Sequence, residues 1–125
     1  MDKKRILIVD DEPTFTRMMQ LVLEQSGRYV VRQENKGAQA LAVARDFKPD
    51  LILLDVVMPD LDGGDVAAQI ENDPILKGVP IIFLTALVDE KESQGNAVKR
   101  GGYPFLGKLV SDNDLFKCIE DNLRK

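Results

Sequence analysis

The chain has 125 residues, of which 44% are hydrophobic and 30% charged, and its net charge is −4. That length suits one globular domain with a real core, and the acidic balance argues against direct binding to nucleic acid or to an anionic membrane. There is no histidine, which excludes a histidine base, a His–Cys zinc site and a Ser-His-Asp triad, and the lone Cys118 excludes an internal disulfide.

Apolar runs and helical patterns alternate from one end to the other. Basic residues precede the run ILIV (6–9), which is too short for a signal peptide or a membrane span, so the expected compartment is the cytoplasm. RILIV (5–9) reads as a strand buried on both faces. Pro13 suits a first helical turn, and Phe15, Met18, Met19, Val22 and Leu23 recur at helical spacing before Gly27 ends the helix. YVVR (29–32) is a second strand. A second amphipathic helix runs from Gly37 through Ala38, Leu41, Ala42 and Ala44 and stops before Pro49. LILL (51–54) is the third strand, and a helix from about Gly64 carries Val66, Ala67 and Ile70 to near Asp73. PIIFL (80–84) is the fourth strand. A weak helix, disfavoured by Gly95 and Asn96, spans about 89–99. YPFLG (103–107) is the fifth strand and 111–123 the last helix, with Cys118 as a partly buried small hydrophobe.

Strict alternation of this kind predicts a single α/β domain over residues 1–125, a (βα)5 doubly wound parallel sheet with right-handed crossovers and helices on both faces. Strand order 2-1-3-4-5 places the fifth strand at an edge, which suits its Pro104. Ligands of such sheets bind beyond the carboxyl ends of the strands. The residues there are Asp10, Asp11 and Glu12 after strand 1, Asp55 after strand 3, Thr85 after strand 4 and Lys108 after strand 5. Strand 2 offers only Gln33, Glu34 and Asn35.

Asp10, Asp11, Asp55, Thr85 and Lys108 therefore converge on one crevice. At about 5 Å and an effective dielectric of about 20, each carboxylate pair costs about 3 kcal/mol. Lys108 offsets part of this, and an all-oxygen site suits Mg²⁺ for the rest. A metal, an ammonium, a hydroxyl and an attacking carboxylate together fit phosphoryl transfer. Each residue alone has an ordinary reading as cap, turn former or solvated lysine, but all fall just past a strand end. Asp60-x-Asp62-Gly63 imitates a calcium loop, yet an EF-hand register would put Met58 and Gln69 at ligand positions, so it reads as a turn and helix start. Neither glycine-rich nucleotide-binding pattern is present.

The segments ILIVDDE (6–12), LILLDVVMPDLDG (51–63), FLTA (83–86) and FLGK (105–108) resemble the receiver domains of two-component response regulators, chemotaxis-regulator-like and flavodoxin-like in topology. The resemblance implies a signalling switch in a phosphorelay. Asp55 would accept a phosphoryl group from a sensor histidine kinase or phosphotransfer protein. Asp10, Asp11, Asp55 and the Val57 carbonyl would hold Mg²⁺, Thr85 and Lys108 would contact the phosphoryl group, and Thr85 and Phe105 would switch. The surface of the fourth helix, fifth strand and fifth helix would respond. It further implies a downstream protein target or a fused output domain, and a dimer formed on phosphorylation. Such a domain is not a turnover enzyme and catalyses only its own phosphorylation and dephosphorylation. An aspartyl phosphatase would want a second Asp where Val57 stands. The alternative is a degenerate receiver that binds proteins without phosphorylation. The family usually has a proline in a cis peptide after its lysine. Leu109 stands there, and a trans bond is expected because cis without proline costs about 3–4 kcal/mol.

Overall fold

The computed structural model describes residues 3–86, 98–100 and 103–123. In chain order it contains β1 (Lys4–Val9), α1 (Pro13–Gln25), β2 (Tyr29–Glu34), a 3₁₀ turn (Gly37–Gln39), α2 (Ala40–Phe47), β3 (Leu51–Asp55), α3 (Gly63–Glu71), β4 (Ile81–Thr85), β5 (Val98–Arg100), β6 (Tyr103–Gly107) and α4 (Asp112–Leu123). The sheet order is β2-β1-β3-β4-β6-β5. All pairings are parallel except β5 on β6. Counting the parallel strands alone, the order is 2-1-3-4-5, as the alternation predicts.

The apolar runs of β1, β3, β4 and β6 are buried on both faces, whereas the edge strand β2 alternates buried and exposed residues. Alternate residues still serve different layers. Leu7, Val9, Ile52, Leu54, Ile81, Phe83 and Phe105 pack with Ala40, Ala44, Phe47, Val66 and Ile70 of α2 and α3. Ile6, Ile8, Leu51, Leu53, Ile82, Leu84 and Leu106 pack with Met19 and Leu23 of α1 and with Leu115, Cys118 and Ile119 of α4. Leu51 to Leu54 are fully buried in the middle of the sheet. The third strand therefore cannot shift without exposing one layer or the other.

Three expectations need correction. The strand holding Pro104 is not outermost, because β5 adds an antiparallel edge and sets Lys99 opposite Pro104. A proline removes one ladder donor, which a three-residue partner strand tolerates. The helix expected over 89–99 lies mostly outside the described residues, but its last residues belong to β5 rather than to a helix. On the helices, Met18 is solvent-exposed, and the buried stripe of α2 is Ala40, Ala44 and Phe47 rather than Ala38 and Ala42. Alanine marks a helix without marking its inner face, so the pattern was out of phase there.

The loop between β3 and α3 carries the apparent calcium sequence, and its acids have structural work. Asp62 caps α3 by accepting the Asp65 N–H at 3.2 Å. Asp60 reaches back to the 3₁₀ turn and accepts from Gly37 and Ala38, at 3.3 and 2.9 Å. Asp73 is buried, accepts the amides of Ile75 and Leu76 and pairs with Arg45 at 2.5 Å, closing the turn after α3. These carboxylates belong to the scaffold.

Candidate functional site

Register brings the acids together. In the β1–β3 ladder Val9 lies beside Leu54, so the next step along both strands sets Asp10 beside Asp55. Neighbouring strands are about 4.8 Å apart, which puts two carboxylates side by side where the strands end. In the structure one oxygen from each of Asp10, Asp11 and Asp55 lies within 4.8 Å of the others. Asp10 and Asp55 are buried and Asp11 half-buried.

The loop after β6 delivers the cation. The Lys108 N–H donates to the Thr85 carbonyl at 2.9 Å, tying this loop to the end of β4. Its Nζ then lies 2.7 Å from Asp10 Oδ2, 3.1 Å from Glu12 Oε1 and 3.5 Å from Asp55 Oδ1. The Phe15 ring closes the cage, with its centroid 4.9 Å from Nζ. Burial works against the ammonium, but Asp10 and Glu12 outweigh it and raise the Lys108 pKa. One ammonium does not neutralise three acids. Burial and the neighbouring Asp10 push Asp55 up to about 6, against the pull of Lys108 and of a backbone hydrogen bond from Val57. Burial likewise raises Asp10, with Lys108 and the Glu12 amide opposing it.

Thr85 is buried at the end of β4, beside Gly107 of β6. Phe105 is buried as well, its ring tilted against Phe83 at 5.1 Å between centroids. Phe83 in turn meets Tyr103 edge-on at 5.2 Å. Val57 and Leu109 lie exposed on the loops that follow β3 and β6, Leu109 at 93%. No cis peptide bond occurs among the described residues, so Lys108–Leu109 is trans as expected. Leu87 lies outside the described residues.

These features place Asp10, Asp11, Asp55, Thr85 and Lys108 at the carboxyl ends of adjacent parallel strands, with Phe105 in the middle of β6. The family model for the response regulator receiver domain matches residues 6–120. The chain belongs to that family. It is 36% identical to Protein PilH of Pseudomonas aeruginosa over 92% of this chain and 93% of that one. It is 40% identical to the DNA-binding response regulator MtrA of Mycolicibacterium smegmatis over 98% of this chain, but spans only 52% of that protein. The chemotaxis response regulator CheY4 of Vibrio cholerae has the same fold, with a TM-score of 0.79 at 29% identity, covering 97% of this chain and 99% of the other.

The acidic cluster of this receiver domain fits a divalent cation on its own chemistry. Asp10 Oδ1 accepts the Glu12 N–H at 3.0 Å. Asp10 Oδ2 is fully buried and close to Lys108, yet that approach is not aligned as a hydrogen bond. It is the buried side-chain oxygen among the described residues that lacks one. Such an oxygen, beside two more carboxylates and facing no competing sulfur or imidazole, suits a hard cation with oxygen ligands.

Three residues at the site were not singled out by sequence. Glu12 pairs with Lys108 across 96 positions. Asn35 donates to the Asp10 carbonyl at 2.7 Å and to Thr16 Oγ1 at 3.0 Å. Thr16, fully buried, donates at 2.9 Å to Gln33, which in turn hydrogen-bonds Gln20. This polar chain fastens the end of β2 to α1 and holds the backbone from which Asp10 and Asp11 project. Asn35 and Gln33 were visible as the polar end of strand 2, but only the β1–β2 pairing shows what they hold.

Proposed function

We propose that this receiver domain is a phosphoacceptor switch, taking a phosphoryl group onto Asp55 from a histidine kinase or phosphotransfer protein. The observation that carries this reading is the buried Asp55 carboxylate flanked by two further acids and an ammonium at adjacent strand ends. Asp10, Asp11, Asp55 and the Val57 carbonyl would hold Mg²⁺, which when bound neutralises charge building up on the phosphoryl oxygens.

The chain's own residues do the rest. A carboxylate oxygen of Asp55 attacks phosphorus, and an O–P bond forms as the P–N bond of the phosphohistidine breaks. The electron pair leaves with the imidazole nitrogen, which takes up a proton. Lys108 holds its charge throughout and can pair with the transferred group. Thr85 lies next to it on the neighbouring strand and offers a hydroxyl.

The modification adds about −1.5 to −2 charges. Because the Thr85 carbonyl already holds the Lys108 amide, a pull on either residue moves both loops. Phe105, packed on Phe83 in the same strands, would register that movement at the face formed by β6 and α4. Moving a two-state surface from 1:99 to 99:1 takes about 5.5 kcal/mol. New charge-assisted hydrogen bonds from Lys108 and Thr85 would supply part of it. The domain then acts in the cytoplasm on a protein target, through a fused output segment or as a phosphorylation-dependent dimer. It is no turnover enzyme, since Val57 stands where a phosphatase would need its second Asp.

Incubation with acetyl phosphate and Mg²⁺, read by intact mass and peptide mapping, tests the reading. One phosphoryl group on Asp55 is expected. No mass gain, or a label on another residue, rejects the proposal. The label is also expected to be long-lived, because the receiver family tunes dephosphorylation at the positions that Val57 and Leu87 hold in the sequence, and both are apolar. A label lost within seconds at neutral pH would contradict that expectation.

A further inference from the structure

Glu12 occupies the N-cap of α1, a position where a Ser, Thr, Asp or Asn side chain ordinarily accepts an N–H of the first turn. It makes no such bond. Instead its carboxylate reaches the loop after β6 and accepts from Lys108 Nζ at 3.1 Å. The same Nζ is at 2.7 Å from Asp10 Oδ2, the buried oxygen best suited to a metal. Lys108 thus has two seats. The one at Asp10 is fully buried, and the one at Glu12 is on a side chain that is 61% exposed. A cation entering the cluster must compete with the ammonium for Asp10. Lys108 cannot simply leave, because its amide is fixed to Thr85 and the Phe15 ring bounds its head group.

We propose that Glu12 is a positioning residue that seats the Lys108 ammonium when a divalent cation takes the Asp10 corner of the cluster. The inference rests on the reading that the cluster binds Mg²⁺. Glu12 is not a ligand in this scheme. It lowers the cost of exchanging one resident positive charge for another and keeps Lys108 beside Asp55, 3.5 Å away, where the ammonium is needed. Glutamine at this position keeps the shape and removes the charge. Because Glu12 makes no capping bond, that change leaves the helix end as it is.

Mg²⁺ titration by calorimetry of the full chain, comparing wild type, E12Q, K108M and the double variant, tests this. E12Q is expected to weaken Mg²⁺ binding about 3- to 5-fold, the scale of a part-exposed ion pair. K108M is expected to tighten binding, and E12Q added to K108M to change it less than about 2-fold. A wild type that binds no Mg²⁺ would remove the reading beneath the inference. A wild type that binds while E12Q binds equally well, or an E12Q loss undiminished in the K108M background, would overturn the inference alone. The second readout is the ¹⁵N signal of the Lys108 ammonium with Mg²⁺ bound. Faster proton exchange with water in E12Q than in wild type is expected, and equal rates would overturn the proposal.

Discussion

Asp55→Asn is expected to abolish phosphoryl labelling and, in the absence of divalent metal, to make the folded protein more stable at neutral pH. The two effects have one cause. The carboxylate that attacks phosphorus is buried, and burial together with Asp10 lifts its pKa from 3.8 to about 6. The folded state therefore holds the Asp55 proton more tightly than the unfolded chain does. Below about pH 3.8 both states are protonated and the ionised carboxylate costs nothing. Between 3.8 and about 6 the unfolded chain ionises first, so stability falls as pH rises. Above about 6 the full cost is present. At about 1.4 kcal/mol per tenfold change, it reaches about 3 kcal/mol as an upper limit.

Asparagine fills nearly the same space without the charge. Lys108 loses one partner at 3.5 Å but keeps the closer Asp10 and Glu12. The expected gain is about 1–3 kcal/mol at pH 7, shrinking toward nothing as the pH falls below about 4. Urea unfolding of both proteins across that range measures it. With Mg²⁺ added the gap should narrow, because a cation stabilises the three-acid site more than the two-acid one. An Asn variant that is less stable at pH 7, or a difference that does not change with pH, would show that the crowding of Asp10 and Asp55 is relieved in some other way.

What the sequence made legible was set by range. β3 and its terminal Asp55 could be read directly, because four consecutive aliphatic residues ending in a lone acid have few alternatives within a parallel sheet. Lys108 and Thr85 followed from the same reasoning, each just past or at the end of an apolar run. Glu12 was seen as one more acid beside Asp11. Its pairing with Lys108 depends on where a loop 96 residues away places its head group. Asn35 was visible only as part of the polar end of strand 2, since its role is to hold a backbone carbonyl at the end of the neighbouring strand. The antiparallel edge had a local signal that the helical reading passed over. Val98–Arg100 and Tyr103–Gly107 flank two glycines, a familiar spacing for a hairpin. Met18 failed for the opposite reason. It has helical spacing and an apolar side chain, and only the packing of α1 on the sheet shows that it faces outward.

Gly63→Ala is expected to cost about 2–4 kcal/mol of stability, although alanine is the better helix former by up to about 1 kcal/mol. Gly63 opens α3 and donates its N–H to the Val56 carbonyl at 2.8 Å, closing the loop back onto the end of β3. A Cβ there would collide with the Asp55 carbonyl oxygen and lie 2.9 Å from the Val56 Cα. Both are backbone atoms, so no side chain can rotate away. Either the loop opens or the end of β3 shifts, and the end of β3 carries the phosphoacceptor. The neighbouring Gly64 separates sterics from propensity. A Cβ on Gly64 would meet only the Asp62 Oδ1, at 3.2 Å, and that is the tip of a side chain. Gly64→Ala should therefore be close to neutral in stability and should accept a phosphoryl group from acetyl phosphate at the wild-type rate. Gly63→Ala should be less stable in urea and slower to label, because its Asp55 is displaced from Asp10 and Lys108. Equal stability and equal labelling of the two variants would mean that the backbone behind Asp55 yields freely, and that the close approach of α3 does not hold the acceptor in place.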